Sequence, residues 1–337
     1  MREEVTQDLK EIAALLQVCL RKKFGEDIEL SNVEQATLGG SNRTLLFDLR
    51  DGNSVRRLVS RQETYTLENS PFLAPEIQYE LLTVAFSHKL PVPEPIIEFA
   101  PEDGLGRGHV IAYVAGETLP KRLINRAEFS EARQRFPTQA GEFLARLHAI
   151  DLNAGRVLAD VEDSQDPMAA QLARYEYYGQ SHPAIEFAFR WLQKNRPRIA
   201  ERKILHGDFR IGNMLMNEDG IKAVLDWECA HLGDPMEDLG WLCTPAWRFG
   251  NLNKPVGGIA ERHELFAAYE EAGGQQVNPE TVRWWEIFGS LRWALLNIMQ
   301  VHGHLHGGRR SPAFAACGRN TALIEYDLLL AIAGQLD

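Results

Sequence analysis

The stretch between residues 204 and 240 constrains the fold of this chain more than any other. Two short apolar runs, residues 214–216 and 221–225, flank an Asn-Glu-Asp-Gly sequence whose residue types are typical of a tight reversal. The pattern predicts a β-hairpin. Such a hairpin returns the chain on itself, so we expect Asp226, which follows the second strand, to lie beside Asn213, which precedes the first.

The polar residues around this hairpin are of the kinds that phosphoryl transfer requires. The carboxylate of Asp208 can accept the proton of an acceptor hydroxyl. Asn213 and Asp226 carry oxygen ligands of the kind that magnesium prefers. Taken singly, these residues have structural interpretations, since His206 suits a buried hydrogen-bonded histidine and Asp208 suits a turn or a cap. Taken together, they favour Asp208 as a base and Asn213 and Asp226 as ligands of Mg²⁺.

Three segments around the hairpin resemble a known family: HGDFRIGN at 206–213, VLDWE at 224–228 and GDPMEDLGW at 233–241. They are similar to the aminoglycoside phosphotransferase family of small-molecule kinases, and most similar to the phosphotransferase domains fused to certain acyl-CoA dehydrogenases. The resemblance extends from about residue 33 to the last helices, but it is sharp only in this central stretch. It implies an α+β, protein kinase-like fold of two lobes, with ATP as the phosphoryl donor and Mg²⁺ as the metal.

The composition argues against several classes of function. A net charge of −11 and a pI near 5.5 disfavour nonspecific binding to nucleic acid or to an anionic membrane, because both reward a basic surface. No apolar run is long enough for a signal peptide or a membrane span. The four cysteines have no C-x-x-C spacing, which favours free thiols in a reducing compartment. We therefore expect a cytoplasmic protein without nucleic-acid or membrane partners.

The pattern of residues 1–115 predicts an antiparallel-sheet lobe covered by a helix. Apolar residues recur at three- and four-residue intervals over 6–24, which is typical of an amphipathic helix. A second helix is expected at 75–89, where a proline suits the first turn. Alternating or β-branched runs predict strands at 33–38, 44–49, 55–59, 96–99 and 109–114. The resemblance implies a hinge at 112–114, so we expect residues 116–337 to form a mainly helical catalytic and acceptor-binding lobe.

Nucleotide binding is expected at two places in the first lobe. The turn between its first two strands consists of Gly39, Gly40, Ser41 and Asn42. Unhindered backbone there can bring amide hydrogens close to a polyphosphate. A Gly-Gly pair alone is more often only a turn, but the downstream motif favours nucleotide binding. The resemblance also implies that backbone groups of Ala112 and Val114 hold the adenine edge.

Arg61 closes the third predicted strand, where kinases of this fold carry a lysine against the α- and β-phosphates. A guanidinium keeps its charge and can bind phosphate through two parallel hydrogen bonds, so the exchange is chemically reasonable. The expected partner of Arg61 is Glu80 on the following helix. Glu76 is the alternative partner, and an exposed glutamate without this role fits the spacing equally well.

Arg210 follows Asp208 by two residues, where protein kinases have a lysine that touches the transferring phosphate. We expect its charge to stabilise the negative charge that develops during transfer. Gly207 replaces the arginine of the protein-kinase His-Arg-Asp motif, which predicts an enzyme that is active without phosphorylation. Asp234 and Asp238 are expected to be structural residues of a turn and a helix cap. Whether Glu228 lies near the metal or the acceptor stays open.

The rest of the chain is predicted to be mainly helical, with a loop at 152–170. His148 is expected to be a hydrogen-bonded core residue. The histidines at 302, 304 and 306 could ligate a transition metal, but flanking glycines favour a loop between helices, and no carboxylate or cysteine completes a site. Arg309 and Arg310 are candidates for binding the phosphates of an acceptor. The helices are expected at 137–150, 171–178, 183–195, 261–271, 279–301 and 313–333.

The phosphoryl acceptor is expected to be the hydroxyl of a small molecule. The resemblance to dehydrogenase-fused domains suggests a hydroxyacid or its coenzyme A thioester, whereas the family name suggests an aminoglycoside or another amino alcohol. A nucleotide-binding scaffold that has lost catalysis is the alternative from a different class. The presence of Asp208, Asn213 and Asp226 argues against that alternative.

Overall fold

The structure is a computed structural model that describes residues 2–36, 42–64, 70–199, 201–307 and 310–336. The chain divides into two compact units. The amino-terminal unit contains residues 1–68 and 72–114, and the carboxy-terminal unit contains residues 69–71 and 115–337. The main division thus falls between Val114 and Ala115. The separate functions expected of the two parts stay predictions.

The described residues of the amino-terminal unit form a five-stranded antiparallel sheet with two helices. Its strand order is β1-β2-β3-β5-β4, and each neighbouring pair is antiparallel. The strands β2 and β3 are joined through Gly52, whose φ of +55° suits a tight hairpin turn. The elements are α1 (Arg2–Phe24), β1 (Ile28–Gln35), β2 (Asn42–Asp51), β3 (Ser54–Glu63), α2 (Pro75–Ser87), β4 (Pro95–Glu98) and β5 (Gly108–Ala112).

The core of this unit lies between the sheet and one face of α1. Ile12, Leu16 and Leu20 recur every four residues, so they share one face of the helix, and all three are buried. They belong to one apolar cluster with alternate residues of β2, including Leu45 and Phe47. The helix period of the first set and the two-residue period of the second therefore meet at one surface.

The carboxy-terminal unit is mainly helical and contains two short antiparallel strand pairs among its described residues. The pair β7-β8 is the predicted hairpin, and β6 pairs with β9. The elements are α3 (Pro120–Asn125), α4 (Ser130–His148), α5 (Glu162–Gln165), α6 (Pro167–Tyr178), α7 (Pro183–Lys194), β6 (Lys203–Leu205), β7 (Met214–Asn217), β8 (Gly220–Val224), β9 (His231–Gly233), α8 (Met236–Cys243), α9 (Arg262–Glu271), α10 (Pro279–Leu305) and α11 (Pro312–Ile332).

Three local predictions were wrong in this unit. The helix expected to start at Pro137 starts at Ser130, because buried residues before the proline outweigh the hydrogen bond that it removes. The loop expected at 152–170 contains a 3-10 segment, α5 and the start of α6. The loop expected at the alternating histidines is the end of α10, which continues to Leu305.

Two expectations from composition can be compared with the fold. All four cysteines are free thiols, as predicted, with Cys19, Cys229 and Cys243 buried and Cys317 half-buried. Within the part of the chain that the structure describes, no helix combines the length and the apolar character that crossing a membrane would need.

His109 in β5 provides a test of the amino-terminal core. Its side chain is buried, and burial together with the charge of Arg61 lowers the pKa of His109 to about 3. Between pH 6.5 and 3, the unfolded chain binds a proton that the folded chain does not bind. As the pH is lowered through this range, the free energy of unfolding should therefore decrease by up to about 1.4 kcal/mol per pH unit from this residue alone.

We predict that His109→Gln flattens the decline of unfolding free energy between pH 6 and pH 4, because glutamine does not titrate. The measurement is urea unfolding of both proteins at several pH values, with the difference between the two curves isolating His109 from other groups. Parallel curves over this range would show that His109 is not held neutral in the folded state.

Candidate active site

The carboxylate of Asp208 is held by three side chains, two from its own loop and one from α8. Arg210 Nε donates to Oδ1 at 3.0 Å, and Trp241 Nε1 donates to the same oxygen at 2.9 Å. Asn213 Nδ2 donates to Oδ2 at 2.6 Å and to the Asp208 carbonyl at 3.0 Å. These bonds fix the orientation of a half-buried carboxylate, which is what a positioned base requires.

The β7-β8 hairpin brings Asp226 back beside Asn213, as the sequence predicted. Met214 pairs with Val224, and the Leu225 amide donates to the Asn213 carbonyl at 2.8 Å. Asp226 is the next residue, and its charge, with that of Asp208, helps to raise the pKa of Arg210 against the effect of burial.

The backbone of Asp226 adopts a left-handed conformation, with φ of +61° and ψ of +67°. Residues other than glycine rarely adopt it, and aspartate is among those that tolerate it best. Such strain often accompanies functional positions. The conformation turns the chain away from β8 immediately after the hairpin, so it sets where this carboxylate stands.

His206 links the loop of Asp208 to the segment of Asp226. Its ring is fully buried, with Nε2 2.9 Å from the Leu225 carbonyl and Nδ1 3.2 Å from the Asp208 amide. The first contact requires a proton on Nε2, and the second requires a lone pair on Nδ1, so the neutral tautomer fits both. Burial lowers the pKa of His206 despite the nearby carboxylates. The histidine is therefore structural.

Asp238 anchors the same loop from within α8. Its buried carboxylate accepts the His206 amide through Oδ2 and the Gly207 amide through Oδ1, both at 2.9 Å. His148 Nε2 lies 3.1 Å from Oδ2, and its Nδ1 lies 2.9 Å from the Tyr269 hydroxyl. Although burial raises the pKa of Asp238, these hydrogen bonds and nearby histidines bring it below its usual value.

The prediction for His148 is thus confirmed, since it is a hydrogen-bonded core histidine. Asp238 is structural as expected, but it is not a helix cap, because it lies inside α8 and its carboxylate accepts the His206 amide of a distant loop. Asp234 is structural as expected. Its carboxylate accepts the Met236 amide at 3.0 Å and the Trp285 indole N–H at 3.1 Å.

Gly207 is required by the close approach of two backbone segments. Its φ is +73°, and a Cβ at this position would lie 2.0 Å from the Cys229 carbonyl oxygen. No L side chain fits there without moving the backbone. The Gly207 carbonyl accepts from the buried Arg292 at 3.0 Å. Both peptide groups that flank this residue are therefore held by charged side chains.

Trp241, Trp247 and Arg292 are site residues that sequence reasoning missed. Trp241 donates directly to Asp208, and the Arg210 guanidinium carbon lies 4.8 Å above the centre of the Trp247 ring. Arg292 similarly lies 5.1 Å from the centre of the Trp241 ring. Nothing in the local sequence pattern signals these contacts, because each joins residues more than 30 positions apart.

Asn213 and Asp226 fit a hard divalent cation. The carboxamide nitrogen of Asn213 is the atom that contacts Asp208, so its oxygen is the atom that can serve a cation. The Asp226 carboxylate is an oxygen donor of the kind that Mg²⁺ prefers, and binding of the ion by these two residues stays a prediction. Mg²⁺ is typically bound by few protein oxygens together with phosphates and water. Across the described ranges no cluster of three His, Cys, Asp or Glu side chains is arranged for a metal.

The residues expected to bind nucleotide in the amino-terminal unit are only partly described. Gly39, Gly40 and Ser41 lie outside the described residues, and Asn42 is described only as the backbone start of β2. Arg61 is half-buried in β3, opposite His109. Backbone amides of Ala112 and Tyr113 donate to carbonyls of Glu94 and Arg57. The adenine contacts of Ala112 and Val114 stay predictions.

The pairing of Arg61 with Glu80 also stays a prediction. Glu80 is exposed on α2. The alternative partner, Glu76, is bound by Arg107, whose Nε and Nη2 donate to its two carboxylate oxygens at 2.8 and 2.7 Å. This bidentate bond lowers the pKa of Glu76. Glu76 is therefore bound by Arg107, and its pairing with Arg61 stays a prediction as well.

Residues 32–285 match the sequence model of a protein family that is described as the phosphotransferase enzyme family. Acyl-CoA dehydrogenase family member 11 from Pongo abelii is 27% identical over 286 residues, which cover 77% of this chain and 35% of that protein. The chain therefore spans about a third of the length of this relative.

Two solved structures are similar over most of the chain. One is a protein of Ralstonia eutropha JMP134, provisionally an aminoglycoside phosphotransferase, with a TM-score of 0.72, 22% identity and coverage of 95% of this chain and 98% of that chain. The other is the streptomycin–ATP ternary complex of APH(2")-IIa, with a TM-score of 0.54, 15% identity and coverage of 83% and 89%. The predicted α+β, protein kinase-like fold is confirmed.

We predict that Asp238→Asn destabilises the protein by about 3 kcal/mol. The asparagine side chain has one acceptor oxygen, whereas the donors around Asp238 bind both carboxylate oxygens of the native residue. Urea unfolding measures the change. The control is Asp219→Asn in the exposed turn of the β7-β8 hairpin, which should change stability by less than about 0.5 kcal/mol. Equal stability of the two variants would refute the anchoring role of Asp238.

Proposed function

Because the chain belongs to the phosphotransferase enzyme family, we propose that this small-molecule phosphotransferase moves the γ-phosphoryl group of ATP to the hydroxyl of a hydroxyacid or hydroxyacyl-CoA. The observation that carries the proposal is the Asp208 carboxylate, oriented by Arg210, Asn213 and Trp241. The streptomycin–ATP complex of a protein with the same fold supports ATP as the donor.

In the proposed reaction, Asp208 accepts the proton of the acceptor hydroxyl while the oxygen of that hydroxyl attacks the γ-phosphorus of ATP. The bond to the β-phosphate oxygen breaks, and ADP leaves. Arg210 uses Nε to hold Asp208, so its terminal nitrogens are the donors that it can direct to the transferring group. Asn213 and Asp226 would hold Mg²⁺, whose chemistry when bound is to neutralise charge on the phosphates.

The nucleotide-binding roles proposed for the amino-terminal unit rest on the family resemblance and on residue chemistry. Gly39, Gly40, Ser41 and Asn42 would cover the phosphates, and Arg61, with Glu80 as partner, would contact them. Backbone groups of Ala112 and Val114 would hold adenine.

We propose activity without phosphorylation because the crowded backbone at Gly207 leaves no space for the arginine that protein kinases carry there. A phosphorylated segment would have no side chain at this position to engage.

The charge around α6 and α7 favours an anionic acceptor. The resemblance implies that helices in this region face the acceptor, and between residues 167 and 199 the exposed Arg190, Lys194 and Arg198 outnumber the exposed Glu176. Cations at an acceptor site would attract carboxylates or phosphates and repel a polycation. The name of the Pongo abelii relative also points to acyl-CoA chemistry. An aminoglycoside or amino alcohol is the second candidate, supported by the streptomycin complex.

We predict that Asp208→Asn lowers the rate of ADP formation roughly 10²–10⁴-fold, because the amide cannot take the proton. Nucleotide binding, measured by calorimetry with ATP and Mg²⁺, should survive. Asp219→Asn serves as the control with normal turnover. ADP formation retained in Asp208→Asn would refute the base assignment, whereas ATP binding by the unaltered protein with no turnover on any acceptor would support a silent scaffold.

For the acceptor, we predict that kcat/KM is at least about tenfold higher for hydroxyacyl-CoA thioesters or free hydroxyacids than for streptomycin or ethanolamine, as expected from about 1.4 kcal/mol of charge complementarity. The measurement is coupled ADP release over this panel at fixed ATP. Replacement of Arg190 and Lys194 by glutamine should reduce the preference for anionic acceptors. A higher kcat/KM for the cationic compounds would support the amino-alcohol alternative.

A further inference from the structure

The last turn of α10 brings two histidines together that the sequence pattern does not pair. His302 and His306 are four residues apart, and the His306 amide donates to the His302 carbonyl at 2.8 Å, which closes a helical turn. Side chains with this spacing share one face of a helix. The two imidazole ring centres are 4.8 Å apart, with an angle of 46° between the ring planes.

His304, between them in sequence, is excluded from this pair. Its Nδ1 accepts the Ser311 amide at 3.0 Å, so it joins the end of α10 to the start of α11. The alternating set of three histidines is therefore divided by the helix into a pair and a structural residue. A loop, as predicted from the flanking glycines, would not have made this division.

The separation of the two rings suits a shared metal ion. Imidazole nitrogens bind zinc at about 2.0–2.1 Å, and copper and nickel also favour imidazole. If the nitrogen–metal–nitrogen angle lies between its square-planar and its tetrahedral value, these bond lengths place the two ring centres about 4.5–5.2 Å apart. The observed 4.8 Å lies within this range.

Aromatic residues of α6 restrict the orientation of the His302 ring. The Tyr178 ring centre lies 5.1 Å from the His302 ring centre, and the Tyr177 ring centre lies 6.2 Å from it. Contacts that fix a ligand ring before binding reduce the conformational entropy that binding must remove. His306 is exposed, so a metal ion has access from solvent.

We propose that His302 and His306 form a two-nitrogen binding site for a divalent transition-metal ion of the Cu²⁺, Ni²⁺ and Zn²⁺ class. Water completes the coordination, because no third His, Cys, Asp or Glu joins the pair within the described ranges. Neutral imidazole nitrogens do not suit Mg²⁺, which prefers oxygen. The site is therefore chemically distinct from Asn213 and Asp226, and it does not depend on the proposed phosphoryl transfer.

The test is a titration of the full chain with Cu²⁺, in the absence of ATP and Mg²⁺, followed by pulsed electron paramagnetic resonance and calorimetry. We expect one equivalent of Cu²⁺ coupled to two imidazole nitrogens. His302→Gln and His306→Gln should each weaken binding by at least about tenfold, since even loss of a group outside the ligand set costs about 10–100-fold. Affinities should follow Cu²⁺ over Ni²⁺ and Zn²⁺.

The control is His304→Gln, whose side-chain oxygen can still accept the Ser311 amide, so Cu²⁺ affinity should be unchanged. Unaltered Cu²⁺ binding in the double variant His302→Gln/His306→Gln would overturn the proposal, as would coupling to a single nitrogen. A loss in His304→Gln equal to that in the other variants would also contradict it. These readouts need no catalysis, so they are independent of whether the kinase proposal succeeds.

Discussion

The hydrogen bonds of the buried Asp238 carboxylate are the interactions on which the loop of Asp208 depends. A carboxylate removed from water is strongly destabilising unless its oxygens receive hydrogen bonds. Here the donors are the peptide groups of His206 and Gly207 and the ring of His148. Because those peptides directly precede Asp208, one side chain of α8 sets the backbone position of the proposed base. The three side chains on Asp208 then set its orientation.

A second charged group completes this support from the opposite side of Gly207. Arg292 of α10 binds the Gly207 carbonyl, and it lies 3.6 Å from Glu237 Oε1, which in turn lies 3.2 Å from His231 Nε2. Burial lowers and Glu237 raises the pKa of His231, and the net direction is upward. Two helices distant in sequence thus hold the peptides around one glycine.

The sequence predicted local structure correctly where the residues of one short segment determine it. The β7-β8 hairpin followed from turn chemistry, with Asn217 Oδ1 accepting the Asp219 amide at 2.9 Å inside the turn. Prediction failed where distant contacts decided. The expected loop at 152–170 contains α5, whose Asp163 is bound by Arg174 of α6 at 2.7 Å. The segment expected to be a histidine loop belongs to α10, and its His302 packs against Tyr178 of α6.

By itself, the sequence determined which residues are proposed for the site: Asp208, Asn213 and Asp226, placed around a β-hairpin. Turns and short spacings act within a few residues, so they can be read from the chain directly. Only the tertiary structure decided which groups hold these residues, such as Trp241 on Asp208 and Asp238 on the Gly207 amide, and that Glu76 binds Arg107. Those contacts join residues separated by 31 to 33 positions, and their formation depends on how whole elements pack.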